Sequence, residues 1–166
     1  MAKRLLPDTL SQCTLYQRAL GQAKKYVYRL LKIRFRSEKE VRDKLRQKGF
    51  SEPTVDEAVG YFESIGLVDD RQFARKWIAS RLNKPFGVHR IRFELKEKGV
   101  DPELMTEEFA QATSEYSEVD VVARLAKRQA AKHRDISREK VKQRVYGYLL
   151  RRGFNPAAVI KAIKDI

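Results

Sequence analysis

With one cysteine, one tryptophan, five prolines and eight glycines in 166 residues, several kinds of protein are out of reach. A lone Cys13 cannot close an intrachain disulfide or supply a thiolate cluster, which fits a reducing cytosol. So little glycine and proline argues against a turn-rich all-β fold. No apolar run reaches the roughly 18 residues that a membrane span needs. The start, Met1 to Pro7, has Lys3 and Arg4 but no apolar stretch after them, so it does not read as a signal peptide. These features predict a cytoplasmic protein with no membrane partner. Phosphate-cradling loops of the Gly-x-x-x-x-Gly-Lys or Gly-x-Gly-x-x-Gly kind are missing. His89 and His133 stand outside any cluster of ligating residues. The acidic pair Asp69–Asp70 precedes an apolar helical pattern, where carboxylates cap and meet the helix dipole. The expectation is no enzyme, no cofactor and no metal.

Charge is what the chain has in abundance. Lys and Arg number 36 against 22 Asp and Glu, a formal net charge of +14. Residues 1–50 hold 14 basic against 4 acidic side chains, residues 51–100 hold 9 against 8, and residues 101–166 hold 13 against 10. A basic N-terminal third attracts polyanions and releases their counterions on binding. Nucleic acid is the common polyanion; a ribosome and an anionic membrane are the rivals.

Hydrophobic spacing reads as helix nearly throughout. A first helix opens at Thr14, with Gln17 completing a capping box, and runs to about Phe35 over Ala19, Ala23, Val27 and Leu30. Ser37 caps a second, and Gly49 ends it. A third carries Val55, Ala58, Val59, Phe62 and Ile65 and stops at Gly66. Asp70 caps a fourth with Phe73, Ala74, Trp77, Ile78 and Leu82. Further helices follow from Val88 to Lys98, after Asp101-Pro102, near Glu118–His133, after Ser137 with Val141, Val145, Tyr148 and Leu149 inward, and after Asn155-Pro156.

The pattern repeats. Gly49, Gly99 and Gly153 each follow a basic residue and precede Phe50, Val100 or Phe154, with Ser51, Asp101 or Asn155 next as a cap. Leu45, Leu95 and Leu149 stand four residues before the glycines, and Val41, Ile91 and Val145 eight before. The glycines lie 50 and 54 residues apart. This predicts an all-α fold of three tandem three-helix repeats in an elongated, curved helical array. The expected divisions are a flexible tail over 1–13 and repeats over 14–66, 67–113 and 114–166. Such an array can exist as a monomer.

Basic residues fall on particular helix faces. At 100° per residue, Arg18, Lys25, Arg29, Lys32 and Arg36 cluster within about 60°, opposite Ala23, Val27 and Leu30. No acid stands between Thr14 and Ser37, so this stripe reads as polyanion-binding rather than a solvated mixed-charge face. His89, Arg92, Phe93 and Lys96 share one side of the fifth helix. Cations interleaved with an aromatic suit a nucleic-acid strand, although Phe93 could instead pack on a neighbouring repeat. Arg124, Lys127 and Arg128 of the seventh helix, and Lys140, Arg144 and Arg151 of the eighth, could extend the basic surface.

Arg36-Ser37-Glu38-Lys39-Glu40-Val41-Arg42-Asp43-Lys44-Leu45, with Lys48-Gly49, resembles the first block of the RecX family. The middle of the chain is the more specific match: Gly66-Leu67-Val68-Asp69-Asp70, Phe73-Ala74, Trp77-Ile78, Arg81, Gly87, Arg90-Ile91, Glu94-Leu95 and Lys98-Gly99. Lys140, Leu149, Arg152-Gly153 and Phe154 are a looser third block, and the resemblance spans roughly residues 18–160. The chain departs from the family pattern at Pro85, where relatives usually have glycine, and at Val88, where they usually have proline. The resemblance implies tandem three-helix repeats. It also implies binding within the groove of RecA filaments on single-stranded DNA, with modulation, mostly inhibition, of recombinase, ATPase and co-protease activities. A helix-turn-helix regulator of duplex DNA and an RNA- or ribosome-binding protein are the competing readings. Operator preference would distinguish the first, and independence from RecA the second.

Overall fold

A computed structural model describes residues 8–113, 116–133 and 136–166, with side chains from Cys13 onward. Among the described residues there are nine helices and no strand: α1 (Asp8–Ile33), α2 (Glu38–Gln47), α3 (Glu52–Ser64), α4 (Asp70–Leu82), α5 (Val88–Glu97), α6 (Pro102–Ala112), α7 (Glu118–Ala130), α8 (Arg138–Arg151) and α9 (Pro156–Lys164). They form an all-α series of three-helix repeats, α1–α3, α4–α6 and α7–α9. No helix among the described residues is long and apolar enough to cross a membrane.

The glycines found in the sequence end helices for a conformational reason. Gly49, Gly99 and Gly153 have φ of 83°, 80° and 78°, the left-handed region where a Cβ is strained. Each N–H donates to the carbonyl three residues earlier (Arg46, Lys96, Leu150). The following residue's N–H reaches back to Leu45, Leu95 or Leu149 at 3.3, 3.1 and 3.4 Å. This is the Schellman closure, which satisfies carbonyls that a helix end would leave bare. The same leucines, with Val41, Ile91 and Val145, are fully buried. One short pattern thus ends a helix and seeds a core.

Several boundaries differ from the sequence reading. Helix α1 begins at Asp8, six residues before Thr14, and ends at Ile33. An acid such as Asp8 suits a first turn as well as a Thr–Gln box does. Part of the segment read as a tail is therefore helical, and residues 1–7 lie outside the described ones. Helix α7 stops at Ala130 rather than near His133. Asp69, not Asp70, caps α4: its Oδ1 accepts from the Gln72 N–H at 3.0 Å. Ile65 follows α3 and is 45% exposed, so it is not core.

The chain divides into two compact units, Met1–Phe73 and Ala74–Ile166. In the first, Leu20, Ala23 and Val27 of α1 pack with Val41 and Leu45 of α2 and with Val55, Ala58, Val59 and Phe62 of α3. Asp70 also belongs here. Its Oδ1 accepts from the Glu38 N–H, at the start of α2, at 2.8 Å.

In the second unit, Arg75 of α4 pairs with the fully buried Glu108 carboxylate of α6 at 2.9 Å. The Trp77 indole N–H donates to Glu94 of α5 at 3.1 Å. The Arg81 and Lys98 cations lie 4.4 and 4.5 Å from the Trp77 ring centre, so this ring is held within the repeat. Val122 and Ala126 of α7, Val145 and Leu149 of α8, Phe154, and Val159 and Ala162 of α9 form the core of the third repeat.

The second and third repeats join through backbone. The Gly87 N–H, at the head of α5, donates to the Arg152 carbonyl at 2.8 Å, and the His89 N–H donates to the Gly153 carbonyl at 3.2 Å. Donors at the start of one helix thus meet acceptors just past the end of another, the positive end of one dipole beside the negative end of the other. A Cβ at Gly87 would overlap the Gly153 carbonyl, and one at Gly153 would overlap Arg90. At the position where proline is usual in the resembling family, the Val88 N–H donates to Glu118 at 3.3 Å.

Candidate nucleic-acid interface

The stripe on α1 follows from how that helix is anchored. Leu20, Ala23, Val27 and Leu30 are buried, which turns the opposite side to solvent. Arg18, Lys25, Arg29 and Lys32 lie there, all exposed. A rise of about 1.5 Å per residue spaces them about 10, 6 and 4.5 Å apart along the axis. None of the four has an ion-pair partner among the described residues. Their charge therefore stands uncompensated among the described residues.

Neighbouring cations are used otherwise. The Lys24 ammonium sits 4.0 Å from the Tyr61 ring centre. Arg34 pairs with Glu40 at 2.8 Å, which raises its pKa. Arg36 departs from the expected stripe: it lies beyond the end of α1 in the connector to α2 and is half-buried. Burial, and then the like charge of Arg34, lower its pKa, and its buried Nε has no hydrogen-bond partner among the described residues.

On α5, His89, Phe93 and Lys96 are exposed, and Phe93 at 64% is not packed against a neighbouring repeat. Arg92, placed with them by the sequence, is half-buried, its guanidinium 4.5 Å from the ring centre of the buried Phe109. Arg124, Lys127 and Arg128 of α7 and Lys140, Arg144 and Arg151 of α8 are all exposed. The fold gathers only some of these. Arg144 and Arg151 line a cavity of about 400 Å³ with Gly147, Gln129, Gln143, His133 and Tyr148. Arg128 lines a second, of about 210 Å³, that shares Gln129 and Tyr148 and adds Lys132 and Arg152. Arg124, Lys127 and Lys140 line neither.

Tyr148, Lys132 and Arg152 are not among the candidates that the sequence offers. The spacing places Tyr148 on the apolar face of α8, which it only half joins. The signal for it is the i, i+4 spacing of Arg144 and Tyr148 across Gly147, but the facing α7 residues are legible only in three dimensions. Among the described residues, no group of three or more His, Cys, Asp or Glu could hold a metal ion.

The described residues thus define an all-α protein of three-helix repeats with exposed, uncompensated cations. Three family domains match in order: the RecX first three-helix domain over residues 23–62, the second over 69–107 and the third over 116–163. The chain belongs to the RecX family. It is 35% identical over 147 residues to the regulatory protein RecX of Mycobacterium sp. (strain KMS), covering 86% of this chain and 80% of that one. With the regulatory protein RecX of Haemophilus influenzae (strain PittEE) identity is 33% over 130 residues, covering 78% and 84%. A crystal structure of RecX from Lactobacillus salivarius shares the fold at TM-score 0.76 and 21% identity, covering 90% of this chain and 97% of that one. A crystal structure of a regulatory protein RecX does so at TM-score 0.82 and 20% identity, covering 100% and 83%.

Proposed function

We propose that this protein binds RecA on single-stranded DNA and lowers RecA's recombinase, ATPase and co-protease activities, with no chemistry of its own. Membership of a family of regulatory proteins supports the regulatory role. The observation that carries the DNA half is the α1 stripe, with four exposed cations and no ion-pair partner among the described residues. Such a stripe neutralises phosphates in sequence without reading bases, which suits a strand coated along its length. Bare duplex is a weaker DNA ligand in this reading.

The helix-turn-helix alternative needs a cationic third helix to enter the major groove. Helix α3, EPTVDEAVGYFES, and helix α6, PELMTEEFAQA, contain no Lys or Arg; α9, PAAVIKAIK, carries Lys161 and Lys164. Two of the three third helices thus lack the cations of a groove-entering helix, which favours the filament reading.

The test is co-sedimentation of the protein with single-stranded DNA, with and without RecA and a non-hydrolysable nucleotide. Tighter association when RecA coats the strand is expected. Equal or weaker association would leave a general DNA-binding protein.

A further inference from the structure

The cleft between α7 and α8 carries positive charge with no compensating carboxylate among the described residues that line it. Its two cavities, about 400 and 210 Å³, adjoin at Gln129 and Tyr148. Arg144 and Arg151 line one, and Arg128, Lys132 and Arg152 the other; no carboxylate is among the residues lining either. The Arg152 guanidinium is fixed: it lies 4.8 Å from the Tyr148 ring centre, and its Nη1 donates to the Pro85 carbonyl at 3.1 Å.

Gly147 gives a second, independent observation. It sits inside α8, where glycine is a poorer helix former than alanine. Its φ is not left-handed, so the backbone does not ask for glycine. Close packing does not ask for it either. A Cβ at 147 would meet only the Arg151 guanidinium, with Nη1 at 3.1 Å. Arg151 lies back across the helix at this point, beside the cavity that Gly147 and Arg144 line, and a methyl at 147 would push its tip away by a few tenths of an ångström. Helix stability is given up where a cation is positioned, a trade found at functional sites.

We propose that this cleft is a binding site for single-stranded nucleic acid, with phosphate held by Arg144 and Arg151 and a base laid on the Arg152 guanidinium where it stacks over Tyr148. Cations beside an aromatic ring favour a strand over an acidic peptide, which offers carboxylates but no base to stack. The site concerns the bare strand and holds or fails without RecA, so its fate is separable from that of the regulatory reading.

The full chain is titrated with a fluorescent oligothymidylate at fixed salt, and anisotropy and thermal melting are recorded. Arg144→Ala with Arg151→Ala weakens binding by about tenfold or more, the scale of losing charge-assisted hydrogen bonds. Lys161→Ala with Lys164→Ala removes the same charge from α9 and weakens it by less than about threefold through the general field. Gly147→Ala raises the melting temperature while weakening binding, which a merely structural glycine would not do. Equal losses from the two charge-matched pairs would overturn the proposal. So would a Gly147→Ala protein that binds as tightly as the parent, or polyglutamate that displaces the oligonucleotide at equal charge.

Discussion

Residues of one type do different work here, and substitution separates the kinds. Gly49 and Gly153 both sit at left-handed φ, but a Cβ at Gly49 would meet nothing within 4 Å, while one at Gly153 would overlap Arg90. Gly49→Ala should therefore cost only the backbone strain, about 1–2 kcal/mol. Gly153→Ala should cost clearly more, about 3 kcal/mol or above, because the joint between the second and third repeats must open. Urea denaturation of the two variants checks the ranking, and equal costs would contradict the joint.

Asp70 gives a pH prediction. Burial raises its pKa, Glu38, Asp69 and Glu63 add to the rise, and only the bond from the Glu38 N–H opposes it. The folded state then holds the Asp70 proton more tightly than the unfolded state, where a carboxyl has its ordinary value of about 3.9. Ionised Asp70 weakens the fold above its folded-state pKa, and the penalty fades as pH falls toward the unfolded value. Relative to Asp70→Asn, the parent should gain stability on acidification through that window. A pH-independent difference in denaturation midpoint would show that Asp70 titrates alike in both states.

At the scale of helices, what is legible in the sequence is what leaves a local mark. Left-handed glycines, the Asp101-Pro102 and Asn155-Pro156 starts and the valine–leucine spacing all act within one turn or two. They place the C-terminal ends of α2, α5 and α8 and the buried pairs Val41–Leu45, Ile91–Leu95 and Val145–Leu149, while Val141 and Tyr148, read as inward, are only half-buried. Four of the five stripe residues on α1 come from the same periodicity. The fifth, Arg36, fails because the 100° rule does not hold past the end of the helix. Arg92 departs for another reason: its partner Phe109 lies on α6, and no local pattern encodes that pairing. The Gly87–Gly153 joint and the α7–α8 cleft are hidden likewise, since each needs residues from two elements.

The α1 stripe is the element whose role is most open to direct test. Arg29 and Lys32 are exposed, so Arg29→Ala with Lys32→Ala should leave stability within about 0.5 kcal/mol. Binding to single-stranded DNA should weaken, and the log–log salt slope should flatten by about 0.7 for each phosphate that is no longer neutralised. Anisotropy titrations across a salt series give the slope. An unchanged slope would mean a solvated face.

At the scale of the whole molecule, three repeats give one chain several modest cationic faces. Contacts that are weak singly strengthen one another once the first is made, because the rest are then held at high effective concentration. On the proposed reading the regulator acts without an active site, by favouring one state of its target over another. The proposed target is RecA on its DNA rather than DNA itself. This is tested most directly by titrating this protein into RecA hydrolysing ATP on single-stranded DNA, with RecA saturating and binding to the bare strand measured in parallel. Hydrolysis should fall at amounts substoichiometric to RecA, well below those that cover the bare strand. Hydrolysis that is unaffected at every concentration, or that falls only when the bare DNA is saturated, would contradict the proposal.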